Sequence, residues 1–360
     1  MRVAIAHDWL LQYAGSERCV EQMLAAFPGA RLMTTIVEPG ALPPALREAE
    51  PSFLQGVPGA RAHHEWFLPL MPLAWRLADI PPDLDALISS SHACANAVRS
   101  NGAPHLSYCY TPMRYAWDFR AEQDRFPAAL RPLARAGMSW FRSWDRRTAG
   151  RVDHFVAISH AIADRIRRYY GRSAQVIHPP VRTDFFTPGG ERGDEFLYVG
   201  RLVSYKRPDI VVEAFAELPH RLLVVGDGHL AGKLRARATP NVRFLGEISD
   251  DRLRELYRSA RALVYPAEED FGIAMAEAQA CGTPVIALAA GGGPDIVEPG
   301  VTGWLVERQD VDSVRKAVRQ AAQMGLDPEA IRNRAERFSS DRFRRELRAA
   351  VEELVAEKRS

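Results

Sequence analysis

Residues 269–286 read EDFGIAMAEAQACGTPVI, and this stretch decides the fold. Its first part favours a short helix, which ends at Gly282, and Pro284 then leads into a strand. An apolar run typical of a buried strand, Ala262–Tyr265, precedes the stretch. A strand, a helix and a second strand in this order form the βαβ unit of a parallel sheet.

Two glutamates flank the predicted start of this helix. Glu269 lies in the loop before it, and Glu277 lies about one turn inside it. The entrance is formed by Phe271, Gly272 and Ile273, where unpaired backbone N–H groups favour an anion. The pattern suits one carboxylate that accepts hydrogen bonds from a sugar and another that accepts them from a ribose.

Other interpretations of the two glutamates stay open. As the acid and base of a hydrolase they would lie ~12 Å apart, because a helix rises ~1.5 Å per residue. Glycosidase carboxylates lie about 5–9.5 Å apart, so the spacing disfavours a hydrolase unless the chain bends before the helix. Both glutamates could also be surface charges without a role in a site.

A second segment, FLYVGRLVSYKRP at residues 196–208, contributes two cations. A strand ends at Arg201, and Pro208 fits the first turn of the next helix. Arg201 and Lys206 therefore bracket a loop at the edge where parallel sheets bind ligands. Cations there would stabilise a departing nucleoside diphosphate more in the transition state than in the ground state. A solvated surface pair is the alternative.

A glycine motif in the second half suggests a different ligand. The sequence GDGHLA at residues 226–231 follows an apolar run and matches G-x-G-x-x-A, with the acidic Glu247 about twenty residues further on. Alone, this pattern would indicate NAD binding by a dehydrogenase. It lies in mid-chain with nothing nearby that resembles a hydride-transfer site, so we interpret Gly226 and Gly228 as a tight turn.

The alternation of apolar runs and helical patterns continues along all 360 residues, which is more than one core usually serves. Prolines and glycines near residues 175–193 are typical of a linker. We therefore predict α/β domains at residues 1–178 and 179–340, each a doubly wound Rossmann-like sheet, facing each other across a cleft. The predicted strands are Arg2–Ala6, Ala30–Ile36, Ala86–Ser89, His105–Tyr110, His154–Ile158, Phe196–Val199, Leu222–Val225, Val242–Phe244, Ala262–Tyr265 and Pro284–Ala287.

Composition argues against several classes of protein. The 47 Lys and Arg nearly balance the 45 Asp and Glu, so no overall charge favours nucleic acid. The four cysteines form no C-x-x-C pair, which leaves zinc and redox motifs unsupported and fits free thiols in a reducing cytoplasm. No signal-peptide pattern and no run of about 18 apolar residues occurs, so we expect a cytoplasmic protein, or one peripheral to a membrane.

Together these segments resemble the family 4 glycosyltransferases of the GT-B fold. Six pieces occur in the family's order: VGRL at 199–202 with Lys206, GDG at 226–228, FLG at 244–246, the Glu-x7-Glu motif of Glu269 and Glu277, GGG at 291–293 and GVTG at 300–303. Each piece is common by itself, whereas all six in this order are specific.

The resemblance implies a role for each piece. Arg201 and Lys206 would hold the donor diphosphate, and Glu269 would bind hydroxyls of the transferred sugar. The other implied donor contacts are the backbone N–H groups of Phe271, Gly272 and Ile273 for sugar and phosphate, Glu277 for the ribose, and Gly246, Glu247 and Ile248 beside the base. Retention of anomeric configuration without a divalent metal or another cofactor is also implied, in keeping with the lack of a D-x-D motif at a suitable loop.

The first half resembles a narrower branch that includes mannosyltransferases of bacterial surface-polysaccharide assembly. The shared segments are HDW at 7–9, AGSE at 14–17, SSSHACA at 89–95 and YCYTPMRYAWD at 108–118. The resemblance implies that Gly15 lets the backbone approach the donor phosphate and that His92 contacts the reacting sugar, a structural histidine being the alternative. Tyr110 and Arg114 would lie on the acceptor side, although the branch commonly has histidine at position 110. The family also often has two glycines where this chain has Ala14 and Gly15.

This branch implies transfer of a hexose, most simply mannose from GDP-mannose, to a lipid-linked glycan in surface-polysaccharide or O-antigen assembly. A UDP-sugar donor, a dehydrogenase and a non-catalytic nucleotide-sugar-binding protein are the alternatives. The last helix, from about residue 341 to 360, is expected to pack back on the first domain, as in the fold that the chain resembles.

A membrane face is a further hypothesis. Arginines 131, 135, 142 and 146 fall within about 60° of one another on a helical wheel, and Met138, Trp140, Phe141 and Trp144 supply apolar area. This pattern fits a helix on anionic lipid at the inner face of the membrane, or one packed on the first domain with a solvated arginine stripe. Pro132 and Gly137 argue against one continuous helix.

Overall fold

The structure is a computed structural model that describes residues 1–117 and 131–359. It divides into two compact units: the first contains Met1–His178 and Phe343–Ser360, and the second contains Pro179–Arg342. Each unit is built on one parallel sheet with helices in the connections. The predicted class, α/β with two Rossmann-like domains, is confirmed.

The first unit contains a seven-stranded sheet whose pairings are all parallel. Its strands are β1 (Val3–His7), β2 (Arg31–Thr34), β3 (Glu50–Pro51), β4 (Ala86–Ser91), β5 (His105–Cys109), β6 (His154–Ala157) and β7 (Gln175–Val176). Their order is β3-β2-β1-β4-β5-β6-β7, so the winding reverses between β1 and β4. Doubly wound sheets bind ligands beyond the carboxyl ends of the strands at such a switch point, where Asp8 and His92 follow β1 and β4 here.

The second unit contains a six-stranded parallel sheet of the same design. Its strands are β8 (Phe196–Val199), β9 (Leu222–Val225), β10 (Val242–Gly246), β11 (Ala262–Tyr265), β12 (Val285–Leu288) and β13 (Gly303–Val306). The order β10-β9-β8-β11-β12-β13 puts the switch point between β8 and β11. The segments that follow these strands contain the predicted cations and Glu269.

Helices occupy most of the connections between strands. In the first unit the α-helices are Gly15–Ala26, Pro44–Arg47, Met71–Arg76, Arg114–Trp117, Arg131–Ala149 and His160–Tyr170. In the second they are Pro208–Phe215, Ala231–Arg237, Asp250–Ser259, Ile273–Ala280, Gly293–Ile296, Val311–Gln323 and Pro328–Ala335, followed by Ser340–Arg359. Short 3-10 turns are Pro39–Ala41, Phe53–Gly56, His64–Leu70, Ala95–Ala97, Ser204–Lys206 and Glu336–Phe338.

The central strands of each sheet are buried because helices cover both of its faces. All five residues of β1 and all four of β8 are buried. The final helix returns to the first unit from Phe343 onward, where the Phe343 ring packs edge-on against Tyr108 at 5.5 Å and Lys358 forms an ion pair with Asp153 at 2.7 Å.

One expectation about the helices is wrong. Arg131–Ala149 is a single continuous helix despite Pro132 and Gly137. Pro132 lies in the first turn, where the backbone N–H has no partner within the helix and its absence costs little. None of the helices within residues 1–117 and 131–359 is both long enough and apolar enough to cross a bilayer.

Candidate active site

Three polar side chains meet at the switch point of the second sheet. The Nζ atom of Lys206 lies 2.8 Å from Oε1 of Glu269 and 2.8 Å from the hydroxyl oxygen of Tyr265. The Tyr265 hydroxyl donates to the same Oε1 at 2.9 Å. The structure thus brings together the predicted Lys206 and Glu269, and adds Tyr265, which the sequence analysis did not single out.

The environment of this cluster is partly shielded from water. The side chains of Lys206 and Glu269 are 15% and 19% exposed, and Tyr265 is 1% exposed. Burial, together with the charge of Glu269, raises the pKa of Tyr265 well above its ordinary value, so its hydroxyl keeps its proton. The shielding strengthens the electrostatic interactions of the cluster, and its remaining exposure leaves it open to a ligand.

Arg201, the second predicted cation, is exposed and donates to the hydroxyl oxygen of Tyr205 at 2.9 Å. Among the described residues, no carboxylate forms an ion pair with it. Its positive charge is therefore available to an anion beside the loop that carries Lys206.

The glycines of the GDG motif pack the Arg201 loop closely. A Cβ atom at Gly226, where φ is +113°, would lie 2.2 Å from the carbonyl oxygen of Gly200. At Gly228 it would lie 2.5 Å from the carbonyl oxygen of Leu202, and Leu202 N–H donates to Asp227 at 2.8 Å. These contacts need glycine at both positions and account for the motif without a dinucleotide.

The GGG motif packs in the same way against the loop that carries Glu269. A Cβ atom at Gly291 would lie 2.2 Å from the carbonyl oxygen of Glu269, and one at Gly292 would lie 2.1 Å from that of Phe271. The N–H of Gly292 also donates to the Glu269 carbonyl at 2.7 Å. Two glycine loops therefore fix the backbones that present the cations and the acid.

The helix Ile273–Ala280 begins beside this loop, as predicted. Gly272 caps it with φ of +104°, a backbone conformation that favours glycine. Phe271 is buried against Phe338, with ring centroids 5.4 Å apart. The first N–H groups of the helix Ile273–Ala280 lack partners within the helix, so its N-terminal end carries partial positive charge.

The remaining predicted donor contacts lie on neighbouring elements of the same unit. Glu277 is 6% exposed and accepts a long hydrogen bond of 3.4 Å from the Tyr257 hydroxyl, so it is not a surface charge. Gly246 ends β10 with φ of +70°, and its carbonyl accepts from Gly226 N–H at 2.8 Å. Glu247 is exposed and Ile248 is half-buried just beyond it.

In the first unit, a buried carboxylate holds the loop that contains His92. Asp8 is fully buried and accepts four backbone hydrogen bonds, from His92 and Ala93 at Oδ2 (2.7 and 2.9 Å) and from Cys94 and Ala95 at Oδ1 (2.6 and 2.7 Å). A buried carboxylate needs such donors in place of water. Asp8 belongs to the HDW segment at residues 7–9, whose sequence does not reveal this role.

The side chain of His92 is 22% exposed. Its Nδ1 lies 3.4 Å from Oδ2 of Asp8, and its ring packs edge-on against Trp9 at 4.5 Å. Burial lowers the pKa of His92 below its ordinary value, although the charge of Asp8 opposes this. His92 is therefore a neutral, oriented imidazole at neutral pH.

A second network supports the glycine loop of the first unit. Gly15 begins the helix Gly15–Ala26, and Glu17 accepts from the N–H of Ala14 at 3.1 Å. Burial acts to raise the pKa of Glu17. The hydrogen bond to His7 and the charge of His7 together outweigh burial and leave the pKa of Glu17 below its ordinary value. The loop is thus fixed by a buried carboxylate.

The two predicted acceptor-side residues differ in their surroundings. Tyr110 is 9% exposed, and its hydroxyl donates to the carbonyl of Ser16 at 3.1 Å and lies 2.9 Å from the Ser90 hydroxyl. In this structure it braces the loop after Gly15. Arg114 begins the helix Arg114–Trp117 and is half-buried.

The predicted arginine stripe contacts protein where its side chains are described. Arg142 donates to the carbonyl of Ala116 at 3.0 Å, and Arg146 donates to that of Tyr169 at 3.0 Å. The side chains of Arg131 and Arg135 lie outside the described residues. For Arg142 and Arg146, packing on the first unit describes the contacts better than an open, lipid-facing stripe.

Comparison with known proteins accounts for almost the whole length of the chain. Residues 13–185 match the family model described as Glycosyltransferase Family 4, and residues 183–338 match the one described as Glycosyl transferases group 1. Among curated proteins, the D-inositol 3-phosphate glycosyltransferase of Mycobacterium leprae is 36% identical over 178 residues, which cover 43% of this chain and 42% of that protein. The chain thus matches about two fifths of the length of that relative.

Solved structures share the fold over nearly the full chain. Anabaena Alr3699/HepE in complex with UDP has a TM-score of 0.73 and 15% identity, covering 98% of this chain and 100% of that one. Sucrose-phosphate synthase from Thermosynechococcus elongatus has a TM-score of 0.73 and 20% identity, covering 99% of this chain and 100% of that one. Both match both units.

Proposed function

The chain belongs to the family 4 glycosyltransferases, and we propose that it transfers a hexose from a nucleotide-sugar donor to a lipid-linked glycan. The proposed reaction retains the configuration of the anomeric carbon and needs neither a divalent metal nor another cofactor. The donor is assigned to the second unit.

The observation that carries this proposal is the cluster of Lys206, Tyr265 and Glu269. A cation and a carboxylate 2.8 Å apart, beside the exposed Arg201, match the two ends of a nucleotide sugar. The cations stabilise the negative charge that gathers on the diphosphate as the glycosidic bond breaks, and Glu269 accepts hydrogen bonds from the sugar. On binding, each member of the ion pair exchanges its partner for the donor.

The start of the helix Ile273–Ala280 supports the same orientation of the donor. Its first N–H groups, which have no partners within the helix, offer hydrogen bonds to phosphate and sugar oxygens next to Glu269. Glu277 is assigned to the ribose, and Gly246, Glu247 and Ile248 to the base. Within the first unit, we assign the contact with the reacting sugar to the neutral imidazole of His92, and acceptor contacts to Arg114 and Tyr110.

Two donors are worth separating by experiment. GDP-mannose is the first candidate, because the first-half motifs resemble mannosyltransferases. A UDP-sugar is the second, because the structures of Anabaena HepE that share this fold are described with UDP and with UDP-glucose.

We also propose that the protein binds peripherally to the inner face of a membrane. Its structural support is an apolar stripe of the first unit, in which Trp66, Leu70, Leu73 and Leu77 are 76%, 41%, 44% and 64% exposed. These large apolar side chains lie close together in sequence, on the 3-10 turn His64–Leu70 and at the helix Met71–Arg76, and their exposure suits contact with a membrane interface. Such a face would bring the enzyme to a lipid-linked acceptor without a membrane-spanning segment.

The direct test is a thermal-shift panel of GDP, UDP, ADP, their common sugar conjugates and NAD. A ligand that binds only the folded state raises the melting temperature, so a selective response to GDP and GDP-mannose supports the first donor. A selective UDP response moves the proposal to a UDP-sugar. A response to NAD alone would overturn the proposed function.

Substitutions in the cluster then test the site. Glu269→Ala and Lys206→Ala should each lower turnover of the selected donor at least a hundredfold while the protein stays folded, since each removes a charged side chain that contacts the donor in the proposed complex. Lys316→Ala and Glu213→Ala, both at exposed helix positions, are the matched controls. Near-normal turnover in both cluster variants would refute the site.

A further inference from the structure

We propose that Tyr265 is a positioning residue, whose hydroxyl holds the Glu269 carboxylate in place when Lys206 turns from it to the donor diphosphate. The inference rests on the proposed function. Nothing in the motifs of the chain assigns a role to Tyr265, which ends the apolar strand β11.

The hydroxyl of Tyr265 contacts both charges, which also contact each other at 2.8 Å. It accepts from Lys206 Nζ at 2.8 Å and has a single proton, which it donates to Oε1 of Glu269 at 2.9 Å. The direction of both bonds is fixed, because an ammonium only donates and a carboxylate only accepts. The three groups therefore form a closed triangle, in which the hydroxyl bond to the acid does not depend on the direct ion pair.

The ring that carries the hydroxyl is itself immobilised. It stacks on Tyr198 with centroids 5.9 Å apart and planes 15° apart. Tyr265 is 1% exposed, and its burial keeps the hydroxyl protonated over the pH range in which proteins fold. A fixed ring with a fixed proton is a rigid reference point for a carboxylate.

Such a reference is needed because of the direct ion pair. In the free protein Lys206 both neutralises Glu269 and orients it. When a diphosphate takes the ammonium, the carboxylate loses that contact and must still meet the sugar hydroxyls. Among residues 1–117 and 131–359, the Tyr265 bond is then the side-chain contact to the Glu269 carboxylate that remains, so it sets the position of the acid in the complex with the donor.

The test is Tyr265→Phe, which removes the hydroxyl and keeps the stacked ring. The probes are GDP-mannose and GDP, or UDP-glucose and UDP if the wild type selects them. The readout is hydrolysis of the nucleotide sugar, followed as release of the free nucleoside diphosphate. We expect kcat to fall about tenfold to a hundredfold, the range of one hydrogen bond to a charged group. The KM for the donor should stay within threefold of the wild-type value. The thermal shift caused by the diphosphate alone should equal that of wild type within error, because the cations are intact.

A matched control lies in the same ring pair. The hydroxyl of Tyr198 donates to the backbone carbonyl of Lys206 at 3.3 Å instead of to Glu269. Tyr198→Phe removes an equally buried hydroxyl and should lower kcat by less than threefold. A double-mutant cycle completes the test: in the Glu269→Ala background, Tyr265→Phe should cause less than a threefold further loss, since its target is gone.

Three results would overturn the inference. They are a kcat of Tyr265→Phe within threefold of wild type, an equal loss with and without Glu269, and loss of the response to the diphosphate, which would mean a structural role. Failure of the proposed function looks different, because the wild type itself would then neither respond to nor cleave any nucleotide sugar.

Discussion

Replacing Asp8 by asparagine tests how the first unit holds the loop that contains His92. The two carboxylate oxygens of Asp8 each accept two backbone N–H groups, from residues 92–95, at 2.6–2.9 Å. An asparagine can turn its oxygen toward only one of these pairs. The other pair would then face the NH₂ group, a donor against donors, at a position that is fully buried from solvent.

The expected loss of stability follows from these bonds. A hydrogen bond to a charged group contributes about 1.5–3 kcal/mol, so losing two costs about 3–6 kcal/mol. At about 2–4 °C per kcal/mol for a unit of this size, the melting temperature should fall by about 6–24 °C. Turnover should fall as well, because the backbone of His92 is one of the four donors.

The assay is urea unfolding followed by circular dichroism, with a thermal melt as the second measure. Asp153→Asn is the matched control, because Asp153 accepts one backbone N–H, from His105 at 2.9 Å, and pairs with the half-exposed Lys358. That change should cost about 1 kcal/mol. A free energy of unfolding for Asp8→Asn within about 1 kcal/mol of wild type would refute the argument, since it would mean that the four donors do not need a carboxylate.

Three other perturbations have expected outcomes. Gly292→Ala puts a Cβ atom 2.1 Å from the carbonyl of Phe271, so turnover should fall at least tenfold in an initial-rate assay, whereas unchanged rates would show that the loop can yield. Burial raises the pKa of Asp145 to about 6 from 3.8, so its stabilising contribution is present below about pH 4 and lost as pH rises through about 6. Urea titrations across that range should show wild type losing about 3 kcal/mol relative to Asp145→Asn, and parallel curves would contradict the shift. The double variant Trp66→Ser with Leu73→Ser should co-sediment less with phosphatidylglycerol vesicles, and equal binding would remove that stripe from the proposed membrane face.

The sequence predicted five of the six strands of the second unit, missing Gly303–Val306, because most of these strands are buried on both faces. Phe196–Val199, Leu222–Val225 and Ala262–Tyr265 have the predicted bounds. A strand covered by helices must be a short apolar run, and such runs stand out between polar helices and glycine turns. The same local rule failed for Glu50–Pro51 and Gln175–Val176, two-residue edge strands that only their neighbours in the sheet define.

The candidate donor site was predictable in part for a similar reason. Arg201, Lys206 and Glu269 follow predicted strands, and the carboxyl ends of parallel strands share one edge. Tyr265 was missed because a tyrosine at the end of an apolar run looks like a core residue. A signal was present nevertheless, since a buried tyrosine needs a partner for its hydroxyl and this one precedes a loop rich in acids.

The sequence by itself determined the order of the elements, the two sheets and the loops that carry charge, because each follows from patterns within a few residues. The tertiary structure decided which groups meet. Asp8 and residues 92–95 are joined because β1 and β4 lie side by side, with His7 opposite Ser90. Lys206, Tyr265 and Glu269 converge because β8 and β11 are neighbours at the switch point. Distances of 3 Å between residues tens of positions apart depend on strand order, and strand order is a property of the packed sheet.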